Sequence, residues 1–393
     1  MGRTQTDVVI IGAGIIGSSI AYHLARLKLR VILLERCDIA SGSSGACDGL
    51  VFLQSKKPGI NLQLAMESRK RFDLLARQLP VPIEYKATGG MVVIETEAEL
   101  TAMRQFVAQQ RESGLDVTLL DGDQARKIAP HLSEHILGAT YSPLDGQVNP
   151  MSLTFGFAMG AKALGARVIT GAAVRGIDIT AGKVSAVETE AGRFETDIVI
   201  NAAGAHAPEI GALVGLGIPI RPRRGQIIVT EACPPILKHC LISAKYIAAK
   251  FNPEIAKTGG DGVSIEQTDS GNFLLGSTRE FVGFDKRTTT DGLHRIADKT
   301  AGIIPALKQV NVIRAFAGLR PYTPDGLPIL GPVDAVPGFF MAAGHEGDGI
   351  ALSPITGELI AQMIATGKRD ISLDDFRLSR FADKGQKIEV SNV

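Results

Sequence analysis

Val8-Val9-Ile10-Ile11-Gly12-Ala13-Gly14-Ile15-Ile16-Gly17 is the stretch that decides the fold. Its four β-branched residues read as a buried strand that runs straight into a G-x-G-x-x-G turn. Residues 18–26 then read as a helix. In such a unit Gly12 permits the tight turn, Gly14 lets backbone approach a pyrophosphate, and Gly17 lets helix and strand pack closely. The helix N-terminus adds free N–H groups and the positive end of a dipole. A second apolar run, Val31-Ile32-Leu33-Leu34, ends in Glu35 and Arg36. An acid roughly 20 residues past the glycines is the expected partner of a ribose hydroxyl. Glycines alone say little. Strand, glycines, helix, second strand and acid in this order read as a dinucleotide-binding βαβ unit.

At 393 residues the chain suggests two domains or one elaborated one. Hydrophobic residues make up 45% and charged residues 21%, ordinary for a globular enzyme. A net charge of +1 gives no electrostatic reason to bind nucleic acid or an acidic membrane. Cys37, Cys47, Cys233 and Cys240 show no C-x-x-C spacing. That fits a reducing cytoplasm and offers no ligand set for an iron–sulfur cluster or structural zinc. The nucleotide motif begins almost at once, leaving no room for a cleaved leader, and the glycine-rich apolar stretch at 8–20 is too short to span a bilayer. The expectation is a soluble cytoplasmic enzyme with no membrane span, no nucleic-acid partner and no metal.

After Glu35 comes Ser41-Gly42-Ser43-Ser44-Gly45-Ala46, and shortly afterwards Gly49-Leu50-Val51. These small residues form either a surface loop or a second wall that lets a large planar ring come close. The dinucleotide motif followed by this run resembles the D-amino-acid oxidase superfamily of FAD enzymes, the glycine oxidase and sarcosine oxidase group. The resemblance implies a non-covalent FAD. It places the cofactor against Gly12, Gly14, Ile15, Ile16, Gly17, Glu35, Arg36, Ser43, Ser44, Gly45, Ala46, Gly49 and Leu50. It also puts Val174 near the adenosine end. Asn201-Ala202-Ala203-Gly204 closes another buried strand and is similar to a family motif on the pyrophosphate side. The alternative there is any buried parallel strand that ends in glycine.

Between these motifs, residues 61–79 read as one amphipathic helix stopped by Pro80 and Pro82. Residues 89–94 read as a strand, 97–114 and 151–164 as helices, and 184–190 with 192–195 as a small hairpin. From Arg221 the pattern becomes one of polar-alternating strands at 225–230, 263–267 and 272–276, the mark of an antiparallel sheet. Residues 245–262, rich in Lys, Gly and Pro, read as an extra loop, 288–302 and 351–364 as helices, and the tail after Lys384 as loose. The fold expected is mixed α/β: a Rossmann-like FAD-binding domain, of the glutathione-reductase or hydroxybenzoate-hydroxylase kind, with an interleaved antiparallel substrate domain. The first takes residues 1–80, 145–220 and 310–393; the second takes 81–144 and 221–309.

Two later blocks carry chemistry. Arg320, in Ala317-Gly318-Leu319-Arg320-Pro321, is a planar five-donor cation at a strand end, suited to bidentate capture of a carboxylate. The matching arginine of the resembled group binds the substrate carboxylate, and Gly318 lies with the flavin. Gly344-His345-Glu346-Gly347-Asp348-Gly349-Ile350 resembles the family's C-terminal flavin motif, which implies that residues 345–350 contact the cofactor. Its backbone donors and following helix would stabilise charge on the reduced ring. His345 is read as packing beneath that ring rather than as an acid or base.

Three departures bear on the substrate. The second arginine of glycine oxidase's last motif is absent, because Glu346-Gly347-Asp348 stands there. Ser264 occupies the position of an active-site tyrosine, and Arg279 that of an apolar residue. Arg279 would bind a second acidic group on a larger substrate or face solvent. His206 and His239 read as structural. Ser277–Asp285 and the Gly-His-Glu-Gly-Asp-Gly-Ile block resemble the FAD subunits of bacterial proline, hydroxyproline and opine dehydrogenases, and the flavoprotein of hydrogen cyanide synthase.

The expected reaction oxidises a C–N bond of an amino acid or secondary amine by hydride transfer to the flavin, followed by imine hydrolysis. Arg320, Arg279 and Ser264 would serve the substrate, a small carboxylate-bearing amine. The alternative within enzymology is the catalytic subunit of a heteromeric dehydrogenase, needing electron-transfer partner subunits. A flavin-dependent sensor or tRNA-modifying scaffold fits the neutral charge and Arg320 poorly.

Overall fold

The computed structural model describes residues 6–251, 262–367 and 371–384. Val8–Ile11 forms the buried strand that its β-branched sequence demands, and lies near the middle of a six-stranded sheet. It pairs in parallel with Val31–Leu34 on one side and with Val199–Asn201 on the other. Chain order therefore reverses at this strand, and the crevice beyond its C-terminal end is where an open α/β sheet binds ligands. The Ile15–Arg26 helix packs against Pro150–Ala163 and against the long Gly349–Thr366 helix. The last contact is close: the Ser19 hydroxyl donates to the Ser353 carbonyl at 2.8 Å.

A second sheet of eight strands carries the other half of the site. Its order runs Val312–Tyr322, Arg221–Ala232, Asn272–Gly276, Ser264–Gln267, Cys240–Ser243, Gly90–Ile94, Gly138–Ser142 and Thr118–Asp121. All its pairings are antiparallel save that of Cys240–Ser243 with Gly90–Ile94. The short strands Leu50–Val51 and Gly146–Gln147 pair with each other. Val174–Thr180, Lys183–Thr189 and Gly192–Glu195 make a separate three-stranded meander, which contains the expected hairpin.

Several elements differ from the sequence expectation. The single helix at 61–79 is two helices, Ile60–Arg69 and Phe72–Gln78. At the break Arg71 turns to the Glu67 carbonyl and to Glu358 of the last long helix. Within the expected loop at 245–262, Ala244–Phe251 is a helix, since the lysines flank an apolar face of Tyr246 and Ile247 that is buried. The rest of that loop, like the tail after Lys384, lies outside the described residues. Val312–Tyr322 was grouped with the nucleotide unit, but it hydrogen-bonds along Arg221–Ala232 as an edge of the eight-stranded sheet.

Candidate active site

The cleft opens where the glycine-rich turn leaves the first strand. Gly12 has φ +106°, and a Cβ on Gly17 would sit 1.9 Å from the Gly12 carbonyl oxygen, so this turn closes only without side chains. Glu35 is pinned across it: one carboxylate oxygen accepts from the Ala13 N–H and the other from the Cys37 N–H, both at 2.9 Å. The Ser44 hydroxyl accepts from the Ile15 N–H at 2.9 Å and satisfies a donor at the helix start.

Two adjoining cavities follow. Gly12, Gly14, Glu35, Arg36, Val174 and Ala203 line the first. Ile15, Ile16, Ser44, Ala46, Leu50, Gly318, Arg320, His345, Glu346, Gly347, Gly349 and Ile350 line the second. Ser43, Ala202 and Gly204 border both, so the cavities form one continuous cleft. Gly17, Gly45, Gly49, Asp348, Ser264 and Arg279 are in its supporting layer and line neither cavity. His206 sits at the rim of the first, between Arg36 at 2.7 Å and Glu209 at 2.8 Å, and its ring stacks on Phe284. His239 is remote from the cleft lining and contacts the Thr88 carbonyl and the Tyr141 ring.

The second cavity has a floor and a charged wall. Burial lowers His345 to a pKa of about 4, and its Nε2 lies 3.2 Å from the Thr356 hydroxyl. At neutral pH this buried ring is therefore uncharged. Lys56 and Asp348 form a buried ion pair at 2.8 Å at the head of the Gly349–Thr366 helix. On the wall, Arg320 donates to the Thr278 carbonyl and the Ser277 hydroxyl. Its guanidinium lies over Gly225, where a Cβ would come within 2.2 Å of Nη1. Arg279 is buried rather than solvent-facing, its guanidinium 4.0 Å from the centre of the Tyr246 ring.

The last motif, which lacks an arginine of its own, pairs with one from another strand. Arg223, buried between the Phe281 and Tyr322 rings, pairs with Glu346 at 3.2 Å. Glu346 has φ +50° and accepts from the Gly347 N–H at 2.6 Å, which turns its carboxylate inward. Desolvation lowers the Arg223 pKa, with Glu346 opposing and Arg279 and Arg320 adding to the fall. Three guanidinium groups thus share one buried neighbourhood.

The same cavity is also lined by residues the sequence analysis missed. Asp48 and Tyr246 line the second cavity. Ser264 donates to Asp48 at 2.9 Å, and behind it Glu266 accepts from the Gly49 N–H at 2.8 Å. Burial, reinforced by Asp48, raises Glu266 to a pKa of about 8. The available signal was an acid inside a run of small residues, Cys47-Asp48-Gly49, and a Tyr on the apolar face of a lysine-flanked segment.

A cleft of this form at a switch point defines a dinucleotide-dependent enzyme, and the turn free of side chains leaves the room a pyrophosphate needs. The family model described as DAO, FAD dependent oxidoreductase, matches residues 7–363. The chain is 32% identical to hydrogen cyanide synthase subunit HcnC of Pseudomonas protegens over 96% of both chains. It is 30% identical to the glycine oxidase of Geobacillus kaustophilus, covering 96% of this chain and 98% of that one. The solved L-proline dehydrogenase from P. horikoshii superposes with a TM-score of 0.88 at 27% identity, covering 97% of this chain and 99% of that one. The chain belongs to the DAO family of FAD-dependent oxidoreductases, enzymes that act on amino acids and amines. No helix among the described residues is long and apolar enough to cross a membrane.

Proposed function

We propose that this enzyme oxidises a C–N bond in a carboxylate-bearing amine, with the substrate carboxylate held by Arg320. The observation that carries the reading is the placement of Arg320: a fixed guanidinium on the wall of the cavity that is also lined by His345, Glu346, Gly347, Gly349 and Ile350 of the last motif. Bound FAD supplies the hydride acceptor. Gly12, Gly14, Glu35 and Ser44 hold its nucleotide end, and the head of the Gly349–Thr366 helix offers backbone donors to the ring. Arg320 orients the substrate and brings its α-hydrogen into line, so positioning supplies much of the rate. Arg279 and Arg223, buried behind that wall, add positive charge to the neighbourhood of Arg320, which favours an amine with two acid groups over glycine itself.

The test is anaerobic addition of glycine, sarcosine, proline isomers, iminodiacetate and methylamine to the holoenzyme. The carboxylate-bearing amines should bleach the flavin, with iminodiacetate ahead of glycine, and methylamine should not. Equal bleaching by methylamine would remove the carboxylate from recognition. A second reading, a catalytic subunit that passes electrons to a partner, is favoured by the similarity to a protein named as a synthase subunit. Slow recovery of colour in air, restored by a co-purifying subunit, would establish it.

A further inference from the structure

The charged wall accounts for a substrate's acid group but leaves its amine without a place. An amino acid is an ammonium zwitterion at neutral pH, and a protonated amine cannot donate hydride from its carbon. Some group must take that proton. Asp48 is the acid among the described residues that lines the second cavity together with Arg320, apart from Glu346, which is committed to Arg223.

We propose that Asp48 binds the substrate ammonium and accepts its proton, a role that rests on the C–N oxidation proposed above. The geometry supports it in three ways. Asp48 and Arg320 line the same cavity, so one cavity offers an anion and a cation to the two charged ends of an α-amino acid. Ser264 donates to one Asp48 oxygen at 2.9 Å, which fixes the carboxylate and leaves its other oxygen for the amine. Tyr246, stacked under Arg279, closes the cavity beside it. The N–H bond breaks as the Asp48 O–H bond forms. The freed nitrogen lone pair can then assist loss of hydride, with its two electrons, from the neighbouring carbon, bound FAD would supply the acceptor, and water would hydrolyse the iminium.

The groups around Asp48 tune this exchange. Glu266 and Ser264 come from one strand, Cys240 from the next, Tyr246 from the helix beyond, Arg320 from the edge strand, and Cys47 is its chain neighbour. Burial keeps Cys47 and Cys240 as thiols and Tyr246 as a phenol. Glu266, with its raised proton affinity, stays protonated at neutral pH and does not add a second negative charge. Ser264 and Glu266 are positioning residues, and of these three acid-side residues Asp48 is the one that touches substrate.

The test compares wild type, Asp48→Asn and Ser264→Ala as holoenzymes. Two readings are made: binding of methylthioacetate, which has a carboxylate but no amine, from its shift of the flavin spectrum, and anaerobic bleaching by the amine panel across pH. Asp48→Asn should bind methylthioacetate as wild type does. Its bleaching rate should fall about 100-fold at neutral pH and recover as pH rises through the free amine's own pKa. Ser264→Ala should move the acid limb of the wild-type profile to higher pH, because a carboxylate that loses a donor holds its proton more tightly. Wild-type pH dependence in Asp48→Asn, or equal loss of methylthioacetate binding, overturns the role of Asp48 alone. Failure of every amine to bleach wild type overturns the proposed reaction and this role together.

Discussion

The two ends of the cleft are built from different materials. At the nucleotide end the wall is backbone, a glycine turn with Glu35 and Ser44 fastened to its N–H groups. At the substrate end it is side chains, with Asp48, Tyr246, Arg320 and Glu346 drawn from four separate segments and Arg279 packed behind Tyr246. Backbone recognition suits a ligand that is always the same, whereas side chains can be exchanged without reshaping the turn. One end therefore defines the cofactor, and the other the substrate.

The sharpest way to break this contrast is Gly17→Val. The added carbon meets backbone that cannot move, so the variant should lose roughly 3 kcal/mol of stability and retain no flavin. A yellow, wild-type-stable Gly17→Val protein would show that backbone closeness does not shape that end. Next is Arg320→Ala, which should raise KM by roughly 100-fold, in line with loss of a charge-assisted carboxylate contact, while flavin content stays unchanged. Arg320→Lys should recover only part, since an ammonium lacks the planar fork.

A third test uses pH to probe the packing under both ends. Burial holds His23 and His345 at pKa values of about 4, below the ordinary 6.5. Between those values the unfolded chain binds more protons, so their contribution is complete above pH 6.5 and falls as pH drops toward 4. Glu266 acts in the opposite sense: its contribution is complete below pH 4.5 and is lost as pH rises through about 8. Urea midpoints of His345→Gln should therefore fall less than those of wild type between neutral pH and the acid end. An identical slope would mean that His345 is not held neutral. The smallest effect is expected from Ser44→Ala, which removes one acceptor at a helix start. It should cost about 1 kcal/mol and leave the flavin bound, measured by thermal unfolding of the holoenzyme.

The same contrast explains what could be read in advance. The strand, turn and acid at 8–35 are contiguous, and each residue type is forced by one physical need, so the nucleotide end was legible. Arg320 was legible too, since it stands in a recognisable strand-end motif. Asp48 was not, because an acid in a small-residue loop looks like surface until Ser264 is brought against it. Arg223 was hidden in a strand whose charges suggested exposure, and its burial depends on Glu346 more than a hundred residues away. The helix at Ala244–Phe251 was lost behind its lysines. What sequence order withholds in each case is a long-range neighbour.

The buried Lys56–Asp348 pair has a consequence for how the protein is made. It joins a residue near the start of the chain to the head of the last long helix, and that helix also forms one wall of the cleft. During synthesis the glycine turn is therefore complete while the ring end is still absent. The ring end of the cleft is complete only once the Gly349–Thr366 helix has left the ribosome and docked on Lys56.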